Sequence, residues 1–217
     1  MSDFMSQIRL QVISQFNPEW HLRIVAFVEE NPEFEILLPY ASITEFEFGF
    51  NKNPDEPYNQ EAPRNIFETL IYSIAASGVN MKYGYKQYKQ IIGYLRSVNY
   101  LEEDMVFPFK VQPKKQQIYK DLINILLRND IITSEMTLEH LEIVKEVKGI
   151  GITTLSLCHR LYGDGQLVPY SDRNFIKGFC KLYKKSNVSE GQIIEVTNKW
   201  KDKMVGTMFM YQCCHYY

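Results

Sequence analysis

Residues 138–183 read LEHLEIVKEVKGIGITTLSLCHRLYGDGQLVPYSDRNFIKGFCKLY, and the reading of this stretch decides the fold. Leu138, Leu141 and Val144 recur at helical spacing and lead into Val147-Lys148-Gly149-Ile150-Gly151, where a second amphipathic run starts at once. Two glycines around one apolar residue predict a tight hairpin between two helices, with Ile150 turned inward to pin them. Glycine at 149 and 151 permits positive φ and leaves backbone N–H groups uncovered at a helix head. Such groups, at the positive end of a helix dipole, bind phosphate oxygens without reading base sequence. Lys148 adds a charge beside them, and Thr153 and Thr154 add hydroxyls in the first turn. An ordinary corner between two helices that happens to use two glycines would share this pattern. The residues downstream change the balance. Eighteen residues beyond Thr154, after Gly163, Gly165 and the extended Val168-Pro169-Tyr170-Ser171, Asp172 heads a helix containing Phe175, Ile176 and Phe179. Aspartate there ordinarily caps the helix. One loop from a phosphate-gripping turn, it also suits acid–base or electrostatic work on DNA.

Helical periodicity extends both ways from this stretch. Helices are predicted at 64–77, 82–97, 113–129, 136–146, 152–162, 173–184 and 189–208, with Gly78, Pro108, Pro113, Gly163 and Gly165 between them. Ile8 to Phe16 and Trp20 to Val28 also have helical spacing. Strand-like alternation is confined to a short piece within Glu33 to Phe50. Asn51 to Pro63 holds three prolines and reads as a linker or long loop. No fixed-period repeat or low-complexity run interrupts the chain. The expected fold is all-α.

The 217 residues are 45% hydrophobic and 23% charged, which excludes wholesale disorder and allows one domain or two small lobes. No apolar run is long enough to span a membrane, and the first ten residues lack the pattern of a signal peptide. A soluble intracellular protein is expected, in the cytoplasm or in a nucleus. The net charge of -2 hides an asymmetry: residues 1–62 carry eleven acids and three bases, the remainder 21 bases and 15 acids. A basic portion of a near-neutral chain hints at a polyanionic partner. Cys158 and Cys180 sit in apolar helical patterns, as small buried hydrophobes do. Cys213-Cys214-His215 has no second cluster at metal-ligand spacing, so neither a metal nor a disulfide is expected, and Cys213 to Tyr217 reads as the end of a docked helix.

VKGIGITTLSL followed by VPYSDRNFIKGF resembles the helix-hairpin-helix DNA glycosylases of the endonuclease III superfamily. Those proteins join an apolar-Pro-Gly-apolar-Gly hairpin to an aspartate that opens a helix about twenty residues later. Asp172-Arg173-Asn174-Phe175-Ile176-Lys177 is also similar to the alkyl-adenine branch. Asn65-Ile66-Phe67-Glu68-Thr69-Leu70-Ile71 resembles the family's opening helix, and Lys114-Lys115-Gln116-Gln117-Ile118 its segment before the hairpin. The resemblance covers residues 64–185. It implies two all-α lobes with the active site in the cleft between them. Residues 63–165 would form a six-helix-type lobe ending in the hairpin, and residues 166–217 would complete the second lobe with the acidic segment 1–62. The implied partner is double-stranded DNA, bound by a monomer, with the target nucleotide swung out of the stack. Asp172 would stabilise positive charge developing on the sugar or activate the attacking water, and Tyr170 would stack on the flipped base or hydrogen-bond to it.

The chain departs from the family at three places. Bifunctional members carry a Schiff-base lysine two residues after the second hairpin glycine. Here that residue is Thr153, whose hydroxyl cannot form one. The resemblance therefore implies a monofunctional glycosylase without efficient lyase activity. The four late cysteines of the iron–sulfur branches are absent, so no cofactor is expected. The glutamine that several members wedge into the duplex would fall near Ser77-Gly78-Val79-Asn80, where there is none, leaving Asn80, Met81 or Tyr83 to fill the gap. Asn80 and Thr153 join Tyr170 as base-pocket candidates. Two alternatives stand beside the glycosylase: group transfer onto a modified base on the same scaffold, as in relatives associated with hypermodified thymine, and a DNA-binding module in which Asp172 is only a cap.

Overall fold

The computed structural model describes residues 18–40, 63–79, 81–98 and 101–216. The predicted helix at Ile8 to Phe16, residues 51–62 of the predicted linker, and Asn80 lie outside the described residues. The α-helices are α1 (Pro18–Glu30), α2 (Ile66–Ala76), α3 (Met81–Ser97), α4 (Pro113–Arg128), α5 (Leu141–Val144), α6 (Ile152–Tyr162), α7 (Arg173–Leu182), α8 (Glu190–Thr197) and α9 (Lys203–Tyr216), with 3-10 segments at Pro32–Tyr40, Thr133–Glu135 and Leu138–His140. Among the described residues there is no strand, and no helix is long and apolar enough to cross a membrane. The chain divides into an internal unit, Asn53–Asp164, and a terminal unit that joins Met1–Lys52 to Gly165–Tyr217.

In the internal unit α2 is buried along almost its whole length, from Ile66 to Ala75, and α3, α4 and α6 pack around it. A helix buried on nearly every side is the central one of its unit. Its start is fixed by Asn65, whose side chain accepts from the Glu68 N–H at 2.9 Å. Glu68 is itself buried, and its carboxylate is held by the Arg64 backbone N–H at 2.8 Å, by the Arg96 Nη2 at 2.7 Å and by the Tyr88 hydroxyl at 3.3 Å. The C-terminal end of α2 is closed by Lys115, whose Nζ donates to the Ala75 carbonyl at 2.7 Å from a site only 5% exposed. An edge-to-face series of rings, Tyr94 on Phe107 and Phe107 on Tyr119, ties the segment before α4 to the core.

The terminal unit is built on Phe27, Phe34, Phe175, Phe179, Trp200 and Phe209. Phe34 meets Phe27 and Trp200 edge-on, with centroids 4.8 and 5.5 Å apart. Helix α9 packs chiefly on α7, and Pro32–Tyr40 lies against it as well. Arg23 of α1 grips the Asp202 carboxylate through Nε at 2.7 Å and Nη2 at 2.9 Å, a bidentate pair.

Three predicted elements are corrected. The helix expected over 189–208 is two helices, because Asp202 holds the start of α9 (its Oδ1 accepts from the Val205 N–H at 3.1 Å) and buried Trp200 occupies the corner between them. The helix expected over 136–146 is a 3-10 turn and then four residues of α5. There the Thr137 N–H donates to the His140 ring at 3.0 Å and tightens the start. The part of the expected strand that falls in Pro32–Tyr40 is a 3-10 segment, with Phe34 and Leu37 both turned into the core. The C-terminal residues do form the end of a packed helix: α9 runs to Tyr216, with Cys213 buried.

Burial also sets a pH response. It pushes the Cys158 thiol up to about 12 and that of Cys213 to about 11, and it raises the Tyr72, Tyr88, Tyr119 and Tyr183 phenols above their ordinary range. The folded chain therefore keeps protons that the unfolded chain releases from about pH 9 for thiols and about pH 10 for phenols. Stability is complete below that window and falls as pH rises through it. Burial raises the Tyr162 phenol as well, so Lys115, lowered by burial and acting in the opposite sense, is one group against seven. The urea midpoint is expected to drop between pH 8 and pH 11; an unchanged midpoint would contradict the burial of these groups.

Candidate functional site

The segment from Val147 to Thr154 lies in the internal unit and runs from just after α5 into the first turn of α6. The Ile150 N–H donates to the Val147 carbonyl at 3.0 Å, closing a turn across Lys148 and Gly149. Gly149 has φ +107°, a region that side chains disfavour, and a Cβ there would sit 2.6 Å from the Ile118 Cδ1. Both the dihedral and the close approach of α4 call for glycine. Ile150 is buried, as its inward reading requires, while Lys148 is exposed.

Gly151 differs from the expectation. Its φ of -120° and ψ of -175° are extended backbone that any residue adopts, and an added Cβ would meet nothing within 4 Å. It is the N-cap of α6, and it supplies no side-chain acceptor to the first turn. By contrast α2, α7 and α8 start under the side chains of Asn65, Asp172 and Ser189. What glycine contributes at 151 is therefore an exposed helix head without a cap. Thr153 is half-buried in that turn. Thr154 is 7% exposed, which removes its hydroxyl from the groups a phosphate would meet, although its N–H belongs to the same turn.

Gly149→Ala is expected to cost about 2–4 kcal/mol, from the positive φ together with the overlap on Ile118. Gly151→Ala, an N-cap change with room for the methyl, should cost no more than about 1 kcal/mol. Urea titrations of the two variants check the contrast, and equal effects would contradict this geometry.

Asp172 lies in the terminal unit as the N-cap of α7. Its Oδ1 accepts from the Asn174 N–H at 2.9 Å and from the Phe175 N–H at 3.0 Å. Among the described residues its Oδ2 accepts no hydrogen bond. The carboxylate is half-buried, so one oxygen is committed to the helix while the side chain still reaches solvent. The Asp172 N–H donates to the Pro169 carbonyl at 2.8 Å, which fixes the turn Pro169-Tyr170-Ser171 ahead of the cap. Tyr170 is half-buried against the aromatic core of the same unit.

Tyr83 also lines a cavity of about 260 Å³ in the internal unit, together with Lys86, Gln87, Gln90, Phe109 and Lys110. Apart from Tyr83, the sequence reading singles out none of these. The signal was a polar stripe at positions 83, 86, 87 and 90, the spacing of one helix face. Among the described residues no three His, Cys, Asp or Glu side chains gather closely enough to hold a metal ion. Compared with protein-family models, with curated proteins and with solved structures, the chain gives no match.

Proposed function

We propose that the chain is a monofunctional DNA glycosylase that hydrolyses the N-glycosidic bond of a damaged, mismatched or modified base in double-stranded DNA, acting as a monomer. The observation that supports the proposal is the head of α6: an exposed glycine N-cap that supplies no side-chain acceptor, following a turn whose Gly149 has positive φ, with exposed Lys148 beside it. N–H groups so presented suit the phosphate backbone and no particular base sequence. In this reading Lys148–Thr154 is the hairpin of a helix-hairpin-helix motif.

Asp172 carries the chemistry in this reading. As the bond between C1′ and the base nitrogen lengthens, the electron pair leaves with the base and positive charge develops on the sugar. An ionised carboxylate stabilises that charge, and it accepts the proton of the water whose oxygen bonds to C1′. Oδ1 keeps the side chain aligned on the head of α7, which leaves Oδ2 for this work. Thr153 cannot form a Schiff base, so the reaction stops at an abasic site.

The phosphate grip is tested by Gly151→Ser. A serine N-cap should raise stability by about 0.3 kcal/mol. By occupying the same N–H groups without adding charge, it should also weaken binding to duplex DNA about 3- to 10-fold. A variant that is stabilised and binds DNA as the parent does would show that the head of α6 holds no phosphate.

A further inference from the structure

From Arg173 to Lys185 the chain has five basic residues and no acidic one. Arg173, Lys177 and Lys181 recur every four residues on one face of α7, about 6 Å apart along its axis, and Lys184 and Lys185 follow just past its end. All five are exposed. Elsewhere in the described residues lysines meet carboxylates: Lys120 on Asp104 at 3.0 Å, Lys145 on Glu142 at 2.5 Å, Lys199 on Glu195 at 4.0 Å, and Lys201 on Glu30. No carboxylate among the described residues pairs with the row on α7. Of the two at its ends, Asp172 turns to the cap and Glu33 accepts from the Tyr183 hydroxyl at 2.9 Å.

Ordinary helix chemistry accounts for part of the row. Lys181 donates to the Cys214 and Cys213 carbonyls at 3.0 and 3.4 Å, near the end of α9. Lys184 and Lys185 follow the C-terminal end of α7, where the helix dipole favours cations. Neither reason reaches Arg173 or Lys177. Arg173 is the first residue of the helix, where the dipole disfavours a cation, and neither side chain has a hydrogen bond or ion pair among the described residues. A row of cations without partners inside the chain suits a polyanion outside it. An anionic bilayer and a nucleic-acid backbone both have that character. A helix that lies on a bilayer presents apolar side chains to it. In α7 Phe175 and Phe179 are buried in the core of the unit, and the exposed residues Arg173, Asn174, Lys177 and Lys181 are all polar. A phosphate backbone asks only for cations and N–H donors.

We infer that the exposed face of α7 holds the phosphate backbone of duplex DNA, with Arg173 and Lys177 as its contacts and Lys184 and Lys185 extending the track. The choice of partner rests on the glycosylase reading; the surface itself is read from α7 alone. The contacts are to phosphate, so they carry no base sequence. They also give Asp172 a register on the strand, because the carboxylate assigned the chemistry heads the same rigid helix that grips the backbone.

The test measures binding of the full chain to a fluorescent DNA duplex across a range of salt concentrations. It compares the parent with two double variants that remove the same charge, Arg173→Gln with Lys177→Gln and Lys199→Gln with Lys201→Gln. Each phosphate contact contributes about 0.9 to the slope of log affinity against log salt, so the first variant should lower the slope by about 2 and weaken binding at low salt at least about tenfold. Its denaturation midpoint should match the parent's, since both side chains are exposed and unbonded. The second variant, whose lysines already face Glu195 and Glu30, should keep the parent's slope. Equal losses in the two variants would reduce the effect to net charge and overturn the inference. So would phosphatidylserine vesicles that bind the parent more tightly than the duplex does. Base release by the parent, with Arg173→Gln and Lys177→Gln binding as the parent does, would overturn the inference and leave the glycosylase reading standing. The expected loss of slope in a chain that releases no base would support this surface and overturn that reading.

Discussion

Gly178→Ala is expected to unfold the terminal unit. Gly178 lies on α7 where α9 crosses it, and a Cβ there would fall well inside the contact distance of the Met210 carbonyl oxygen. The obstacle is backbone, so no side-chain rotation relieves it, and the two helices have to separate. They form the most extensive contact of the unit and carry Phe175, Phe179 and Phe209 of its core. Overpacking at one methyl ordinarily costs about 1–3 kcal/mol. Here the neighbour is unyielding and the aromatic cluster is disrupted with it, so the expected cost is above about 4 kcal/mol, a large part of the stability of a domain of this size. Both tryptophans, Trp20 and Trp200, belong to this unit, so tryptophan emission reports on it alone. The emission of Gly178→Ala should be red-shifted in the absence of denaturant while helical circular dichroism from the internal unit persists. A variant within about 1 kcal/mol of the parent would mean that α7 and α9 do not approach this closely.

The second large effect is on activity, at Asp172. The residue has a structural duty, the two bonds from Oδ1 to the Asn174 and Phe175 N–H groups, and a proposed chemical one. Two substitutions separate them. Asparagine caps as well as aspartate and keeps an oxygen acceptor, so Asp172→Asn should leave the midpoint within about 0.5 kcal/mol of the parent. It removes the negative charge, however, and under the proposal lowers the rate of base release by at least about 10³-fold. Asp172→Ala loses the cap too and should cost about 1 kcal/mol of stability besides the activity. A residue that serves only as a cap gives the opposite pattern, with Asp172→Asn silent in every assay.

Much of the helical layout was legible in the sequence because its signals are local. Pro113 starts α4, Gly151 and Gly163 bracket α6, and Asp172 starts α7, each through a preference expressed within a few residues. The break between α8 and α9 was not legible, since the Asp202 that makes it is held by Arg23, 179 residues away, and nothing in Lys199 to Lys203 announces that partner. In Pro32–Tyr40 the spacing of Phe34 and Leu37 puts both on one face of a 3-10 segment, whereas a strand would turn them to opposite faces, so that signal was present but obscured by the local alternation. At the candidate site the residue types were readable but their reasons were partly different: Gly149 is required by its dihedral and by Ile118, Gly151 by neither. The cavity beside Tyr83 stayed hidden because the side chains that close it, Phe109 and Lys110, come from another segment of the chain.

The measurement that bears most directly on the central claim is base release from duplex oligonucleotides carrying a panel of damaged, mismatched and modified bases, scored as strand breaks after hot alkali, for the parent chain and for Asp172→Asn. A monofunctional glycosylase gives breaks at one class of base that depend on alkali and that Asp172→Asn abolishes while still binding the same duplex. Release from no base on the panel, or release that Asp172→Asn leaves intact, would contradict the proposed activity.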